Sequence, residues 1–177
     1  EPPETWPYDT SEKIVLKSYA VAEPHWQAIK DTEAIVGIET NLVPDTVEHT
    51  RADLITETSE GLVVTDLKFS LKIGPEYRAK RLAEYDASFQ LWCYGYWAQK
   101  KYDKKVAWLR VIQVIGTPKA TVLQTTIRVT PERMAFWERG ARWAWGQMEK
   151  GEIAPNYGNC YSRYGKCGFY DPCHLAN

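Results

Sequence analysis

The sequence predicts one α/β domain over residues 1–177, with a mixed central sheet flanked by helices. Its 177 residues are about the size of a single domain. Hydrophobic residues make up 44% and charged residues 25%, which is the ordinary balance of a globular protein. Strand-like and helical segments follow each other in the order helix, three strands, long helix, two strands, helix and tail, as expected of a mixed α/β or α+β domain.

The first half of the chain is expected to contain a helix and three strands. In order, we predict an irregular lead-in (1–9), a helix (about 11–22), an extended segment (33–41) and two strands (49–57 and 61–69). Thr10 or Ser11 would cap the helix, and Pro24 would end it. The polar turn Thr-Ser-Glu-Gly between the two strands indicates a hairpin.

The second half is expected to contain two helices around a second hairpin. In order, we predict a long helix (76–102), two strands (106–115 and 120–129), a helix (130 to about 150) and a cysteine-containing tail (about 151–177). Aromatic and apolar residues recur at helical spacing in the long helix. Pro131 suits the first position of the last helix, and Gly151 would end it.

Charge and hydropathy exclude some classes of protein. The formal net charge of -1 excludes a basic protein that coats DNA, so any nucleic-acid contact must use a local patch. The first candidate is the basic group before Gln90, formed by Arg78, Lys80 and Arg81. A second basic group lies at the end of the long helix and is expected to be an ordinary solvated face; it consists of Lys100, Lys101, Lys104 and Lys105. No run of 18 apolar residues and no secretory pattern occurs, so we expect a cytoplasmic protein that is neither membrane-bound nor secreted.

The densest chemical signal lies in the first predicted hairpin. Side chains two apart on a strand share a face, so Asp66 and Lys68 point the same way. If the turn centres on Ser59–Glu60, Asp53 lies across from Asp66, and two like charges in that position repel each other. A divalent cation bound between the two carboxylates would replace this repulsion with attraction to the cation, and the backbone carbonyl of Leu67 could add a ligand.

Lys68 would then lie beside the cation. Its ammonium group could orient a water that attacks phosphorus and stabilise the charge developing on the phosphate. The alternative is a solvated ion pair on an amphipathic strand. The strongly apolar run before Asp66, Leu62 to Val64, favours the site because the carboxylate emerges from a core strand.

The long helix adds a third pattern, because Gln90 and Tyr94 are four residues apart and share one face. The ordered segments R-A-D-L-I, V-V-T-D-L-K and Q-L-W-C-Y resemble the RecB-like branch of the PD-(D/E)XK nucleases, which includes phage-type exonucleases. The resemblance covers about residues 33–100, with a further match in the tail at 160–173.

This resemblance implies a restriction-endonuclease-like core and a nuclease that depends on Mg²⁺ or Mn²⁺. It implies that Asp53 and Asp66 hold the metal, that Lys68 is the catalytic lysine, and that Gln90 and Tyr94 support the active site and the nucleic-acid strand. The expected substrate is DNA, cut from ends or as single strands in recombination, repair or phage DNA processing. A partner protein in recombination or phage replication is also expected.

Family members often carry a further acidic residue or histidine upstream. Glu39 is the candidate for a supporting acid, with a surface glutamate as the alternative. His25 is a weaker candidate, because it follows Pro24 in an expected loop and a lone histidine is more often structural. The chain begins with Glu1, so the family's histidine could lie before it.

Three cysteines cluster in the tail, at Cys160, Cys167 and Cys173, and favour a metal over disulfides in an intracellular protein. The trio resembles the cysteines with which several RecB-like nucleases hold a [4Fe–4S] cluster, although its first spacing is wider than usual. The fourth ligand would come from upstream or from another residue such as His174, or no cluster forms. Zinc held by the three cysteines and His174 is the less favoured alternative.

Aromatic residues make up 13% of the chain, which favours a core and surface rich in rings, with stacking surfaces for bases or sugars as the alternative. Trp92, Tyr96 and Trp97 are the candidates for stacking on unpaired bases, whereas the tryptophans of the last helix are expected in the core; they are Trp137, Trp143 and Trp145. The competing function is a protein that keeps the nuclease fold and binds nucleic acid, or acts as a scaffold, without cutting it.

Overall fold

The computed structural model describes residues 8–43, 50–72, 84–117, 119–151, 161–162 and 165–166. Its elements are, in order, α1 (Tyr8–Thr32), β1 (Ala34–Asn41), β2 (Arg51–Thr58), β3 (Gly61–Lys72), α2 (Phe89–Tyr102), β4 (Val106–Thr117), β5 (Thr121–Arg128), α3 (Pro131–Glu149), β6 (Tyr161–Ser162) and β7 (Gly165–Lys166). The predicted order of helix, three strands, helix, two strands and helix is confirmed.

The chain forms two compact units, Glu1–Ala135 and Phe136–Asn177. The first contains α1, α2 and the sheet, and the described part of the second contains most of α3 and the antiparallel β6–β7 hairpin. None of the described helices is long and apolar enough to cross a membrane. The organisation of residues 1–177 as one domain stays a prediction.

The central sheet is mixed, as the sequence predicts. Its five strands follow the chain order, β1-β2-β3-β4-β5. Neighbouring strands are antiparallel except for β3 and β4, which are parallel. Parallel neighbours need a crossover connection, and the segment containing α2 provides it.

Helices α1 and α2 cover opposite faces of this sheet. Side chains alternate along a strand, so Leu109 and Ile112 of β4 lie on different faces. Ile112 packs with Ile29 of α1 and Leu54 of β2, whereas Leu109 lies against Gly95 of α2. A Cβ atom at Gly95 would lie 2.9 Å from the Leu109 Cδ2 atom, so the absent side chain allows this close approach.

Helix α1 is longer than the sequence predicts. The predicted end near Pro24 is wrong, because the helix continues through Pro24 to Thr32. A proline inside a helix removes one backbone hydrogen bond and opposes helix formation. The turns after Pro24 place Ile29 in the core, with Trp26 packed against it, and this burial outweighs the local cost of the proline.

Helix α2 is shorter than the sequence predicts. Of the expected helix over 76–102, α2 begins at Phe89, and the part at 76–83 lies outside the described residues. Ser88 has an extended backbone and its side chain accepts a hydrogen bond from the Leu91 N–H. Serine is a preferred N-cap, so it begins a new helix after the short helical turn at 84–86.

Two tryptophans of α3 lie at the surface, and their assignment to the core is wrong. Trp143 and Trp145 are 67% and 62% exposed. Residues two apart on a helix point in nearly opposite directions, so both cannot face one core. The indole N–H of Trp145 instead donates to Glu149, one turn further on.

A buried ion pair lies on the α1 side of the sheet. The Arg110 guanidinium donates to both carboxylate oxygens of Glu33, at 2.6 and 2.8 Å. It also donates to the Thr65 hydroxyl, and the Thr56 hydroxyl donates to Glu33. Burial alone raises the pKa of Glu33, but the hydrogen bonds from Arg110 and Thr56 outweigh it and leave that pKa below its usual value. The network ties β2, β3 and β4 to the end of α1.

We expect Arg110→Ala to lower the free energy of unfolding by about 3–5 kcal/mol, because it leaves the Glu33 carboxylate buried without its partner. Arg51→Ala is the matched control, since Arg51 forms an exposed ion pair with Glu39 and should cost less than about 1 kcal/mol. Urea unfolding measures both variants. Equal losses would show that the buried network contributes no more than a surface pair.

Candidate active site

The site lies where the pairing of β2 with β3 ends. The two strands are joined by a tight turn at Ser59–Glu60 and pair in register up to Leu54 and Thr65. The pairing ends one residue before Asp53 and Asp66, which the sequence predicts to lie opposite each other one step further along the same register. The hairpin therefore places two carboxylates side by side on neighbouring strands.

Lys68 contacts Asp66 directly, and Asp53 contacts the backbone between those two residues. The Lys68 ammonium lies 2.9 Å from Oδ2 of Asp66 and donates a hydrogen bond to Oδ1 at 3.1 Å. Asp53 accepts a hydrogen bond from the backbone N–H of Leu67 at 2.6 Å. The structure thus brings together the three side chains that the motifs predicted.

Asp66 is the least solvated of the three. Its side chain is only 5% exposed, whereas that of Lys68 is 40% exposed. Burial raises the pKa of the Asp66 carboxyl, Lys68 partly lowers it, and the negative charge of Asp53 raises it further. The ionised form of Asp66 is therefore less favourable in the folded protein than in water.

One oxygen of Asp66 is buried without a hydrogen bond. The Lys68 ammonium is the ion-pair partner of Oδ2 and donates its hydrogen bond to Oδ1, so Oδ2 has an ionic contact but no hydrogen bond. A buried carboxylate oxygen without a hydrogen bond can accept a bound ion or water. A hard divalent cation such as Mg²⁺ or Mn²⁺, which prefers oxygen ligands, fits this pair of carboxylates.

The backbone of Leu67 fits the same site. The N–H and the C=O of a strand residue leave the backbone on the same side. Because the Leu67 N–H donates to Asp53, its carbonyl oxygen is also directed towards β2, beyond the last residues paired with that strand. The described residues contain no group of three His, Cys, Asp or Glu that could hold a metal. Of the described residues, Asp53, Asp66 and the Leu67 carbonyl could supply oxygen ligands there.

Helix α2 places Gln90 and Tyr94 over the carboxylates. The Gln90 side-chain amide donates to the Tyr94 hydroxyl at 2.7 Å, which confirms their shared face. Burial raises the pKa of Tyr94, and the negative charges of Asp66 and Asp53 add to this effect, whereas Gln90 opposes it. The Tyr94 hydroxyl is thus close enough to the carboxylates to sense their charge.

Glu39 lies next to the site without joining the two carboxylates. The flanking pairs Ile38 with Leu54 and Thr40 with Ala52 place its backbone opposite Asp53. Its φ of 48° is in the left-handed region, which non-glycine residues seldom adopt. Its carboxylate pairs with Arg51 at 2.9 Å. A supporting role for Glu39 stays a prediction.

His25 lies on the other face of the sheet. It lines an apolar cavity of about 460 Å³. Three neighbouring residues of β3 also line it, Leu67, Lys68 and Phe69, and the side chains of Leu67 and Phe69 alternate with those of Asp66 and Lys68. The expectation that His25 takes no part in the carboxylate site stays a prediction.

One of the three predicted base-stacking residues, Trp92, differs in the structure. Trp92 is buried, its indole N–H donates to the backbone of Asp86, and the Arg133 guanidinium lies 4.8 Å from its ring centre. Its assignment as a base-stacking residue is therefore wrong. Tyr96 and Trp97 are half-buried and pack edge to face at 5.4 Å.

Two lysines of the second basic group make contacts within the protein at its exposed surface, as expected of a solvated face. Lys101 donates to the backbone of Asn41, and Lys104 pairs with Glu57 at 2.7 Å. The remaining candidates lie outside the described residues; they are Arg78, Lys80, Arg81, Cys160, Cys167, Cys173 and His174. The predicted metal cluster of the tail thus stays a prediction.

A row of hydrogen-bonded polar side chains lies on the same face of the sheet as Lys68 and was not predicted from the sequence. Gln113 of β4 lies beside Lys68 of β3 and is only 3% exposed. Its amide donates to the Ser70 hydroxyl at 3.0 Å, and the Tyr85 hydroxyl donates to its carbonyl oxygen at 3.1 Å. A glutamine inside the apolar run V-I-Q-V-I was the signal available in the sequence.

Comparisons with known proteins leave the family open. No protein-family model matches the sequence, and no curated protein matches it at a significant level.

We expect Asp66→Asn to be more stable than the wild type at neutral pH when metal is removed with a chelator. A carboxyl whose pKa is raised by folding contributes most stability below its unfolded pKa and loses it as the pH rises through the folded value. The stability difference in favour of Asp66→Asn should thus grow from acid to neutral pH. Urea unfolding across this range measures it.

Glu60→Gln is the control for this comparison, because Glu60 is an exposed turn residue. Its stability should follow that of the wild type at every pH. A difference between Asp66→Asn and the wild type that stays constant with pH would contradict the unfavourable ionisation of Asp66.

Proposed function

We propose that the chain is a metal-dependent deoxyribonuclease of the PD-(D/E)XK type, in its RecB-like branch, that hydrolyses phosphodiester bonds. The observation that carries the proposal is the meeting of Asp53, Asp66 and Lys68 at the end of one hairpin, with a buried Asp66 oxygen that lacks a hydrogen bond. The mixed sheet between two helices supports the proposed restriction-endonuclease-like core.

Each residue would have a distinct part in hydrolysis. Asp53, Asp66 and the Leu67 carbonyl would hold Mg²⁺ or Mn²⁺. Such an ion polarises a phosphoryl oxygen and lowers the pKa of a bound water. Lys68, more exposed than Asp66 and already beside it, can orient the attacking water and offset the charge that develops on the phosphate.

Helix α2 would complete the site. Gln90 and Tyr94 already form a hydrogen-bonded pair close to the carboxylates. An amide and a phenol offer donors to phosphate oxygens without adding charge, so they can hold the DNA backbone without reading sequence. We extend the proposal to exonucleolytic action on DNA ends or single strands, which follows from the resemblance to RecB-like nucleases.

We expect the wild type to degrade linear DNA in the presence of Mn²⁺ or Mg²⁺, and Lys68→Ala to reduce the rate by roughly 10²–10³-fold while DNA binding persists, because a charge-stabilising group is lost. Asp66→Asn should lose activity at least as strongly. Lys104→Ala is the control, since Lys104 pairs with Glu57 at the surface and should cut normally.

The same assay separates the proposal from a binding or scaffold protein. A wild type that binds DNA but does not cut it with either metal would favour the non-cleaving alternative. Cutting that persists undiminished in both Lys68→Ala and Asp66→Asn would show that the nuclease activity does not use this site.

A further inference from the structure

Ser70 continues the polar face of β3 beyond the catalytic lysine. The pairing of β3 with β4 is regular from Val63 to Ser70, so Asp66, Lys68 and Ser70 share one face. A strand rises by about 3.3 Å per residue, which places Ser70 about 7 Å beyond Lys68. Ser70 is half-buried.

The hydrogen bonds around Ser70 all run the same way, with donors on the Tyr85 side and acceptors on the Ser70 side. Tyr85 donates to the carbonyl oxygen of Gln113, and the amide of Gln113 donates to the Ser70 oxygen. The Ser70 hydroxyl thus acts as an acceptor in this chain, and its own hydrogen remains available for an acceptor outside it. Because Gln113 is almost fully buried and each of its polar atoms has a partner, it holds Ser70 in one position.

We propose that the Ser70 hydroxyl binds the backbone phosphate next to the one that is cleaved, with Gln113 and Tyr85 as positioning residues. This inference rests on the proposed nuclease function. A phosphate oxygen is an acceptor only, which matches the free hydrogen of Ser70. The step from Lys68 to Ser70 is comparable to the spacing of neighbouring phosphates in an extended strand.

This subsite adds binding affinity and fixes the position of the DNA strand along the site, without preference for its sequence. Contacts to phosphate position a nucleic acid, whereas contacts to base edges specify its sequence. A serine hydroxyl carries no charge, so the subsite is compatible with the net charge of -1. It would help to place the cleaved bond over Asp66 and Lys68.

The test combines Ser70→Ala with single-stranded oligonucleotides that carry one uncharged methylphosphonate beside the cleaved linkage, on either side. On all-phosphate DNA, Ser70→Ala should lower kcat/KM about tenfold, the effect of losing one hydrogen bond to a charged group. On one of the two methylphosphonate substrates the wild type and Ser70→Ala should be equal. Ser70→Thr, which keeps a hydroxyl, should retain most activity on all-phosphate DNA.

Ser59→Ala is the matched control, because Ser59 lies in the exposed turn at the far end of β3; it should behave as the wild type on every substrate. A Ser70→Ala deficit that is the same on all substrates would overturn the subsite and indicate a structural role. No deficit at all would overturn it as well.

The failure of the nuclease proposal can be told apart from the failure of this subsite. If the wild type does not cut, the same three oligonucleotides are compared by equilibrium binding with Ca²⁺ in place of the catalytic metal. Weaker binding of all-phosphate DNA by Ser70→Ala, with no difference on one methylphosphonate, supports the subsite alone. Equal binding by both proteins would overturn it.

Discussion

The site depends on the burial of the Asp66 carboxylate at the end of the β2–β3 pairing. Burial is the main cause that raises the pKa of Asp66, and the negative charge of Asp53 on the neighbouring strand adds to it. Lys68 offsets only part of this cost, although its ammonium lies 2.9 Å from one of the Asp66 oxygens. Such an arrangement destabilises the isolated fold and is understandable if a cation binds there.

The rest of the fold keeps this unfavourable pair in place. On one side of the sheet, Arg110 and Glu33 link β2, β3 and β4 to α1 through buried hydrogen bonds. On the other side, α2 packs closely on β4 through Gly95 and brings Tyr94 towards the carboxylates. The strands therefore cannot separate to relieve the repulsion without losing core contacts on both faces.

Local sequence patterns predicted the parts of the site that depend on contacts between residues close together in the chain. The turn and the alternation of side chains are enough to place Asp53 opposite Asp66, and helical spacing is enough to pair Gln90 with Tyr94. The continuation of α1 past Pro24 depends on packing against strands far away in the chain. The contact between Ser70 and Gln113 depends on the parallel pairing of β3 with β4, for which no local pattern exists.

Mn²⁺ binding at neutral pH, followed by the electron paramagnetic resonance signal of the free ion, tests the central claim without requiring catalysis. We expect one site in the wild type, weakened at least about tenfold in Asp53→Asn and in Asp66→Asn, since each loses a ligand. Glu60→Gln should bind as the wild type does. Wild-type affinity in both ligand variants, or no binding by the wild type, would show that these carboxylates do not hold a divalent cation.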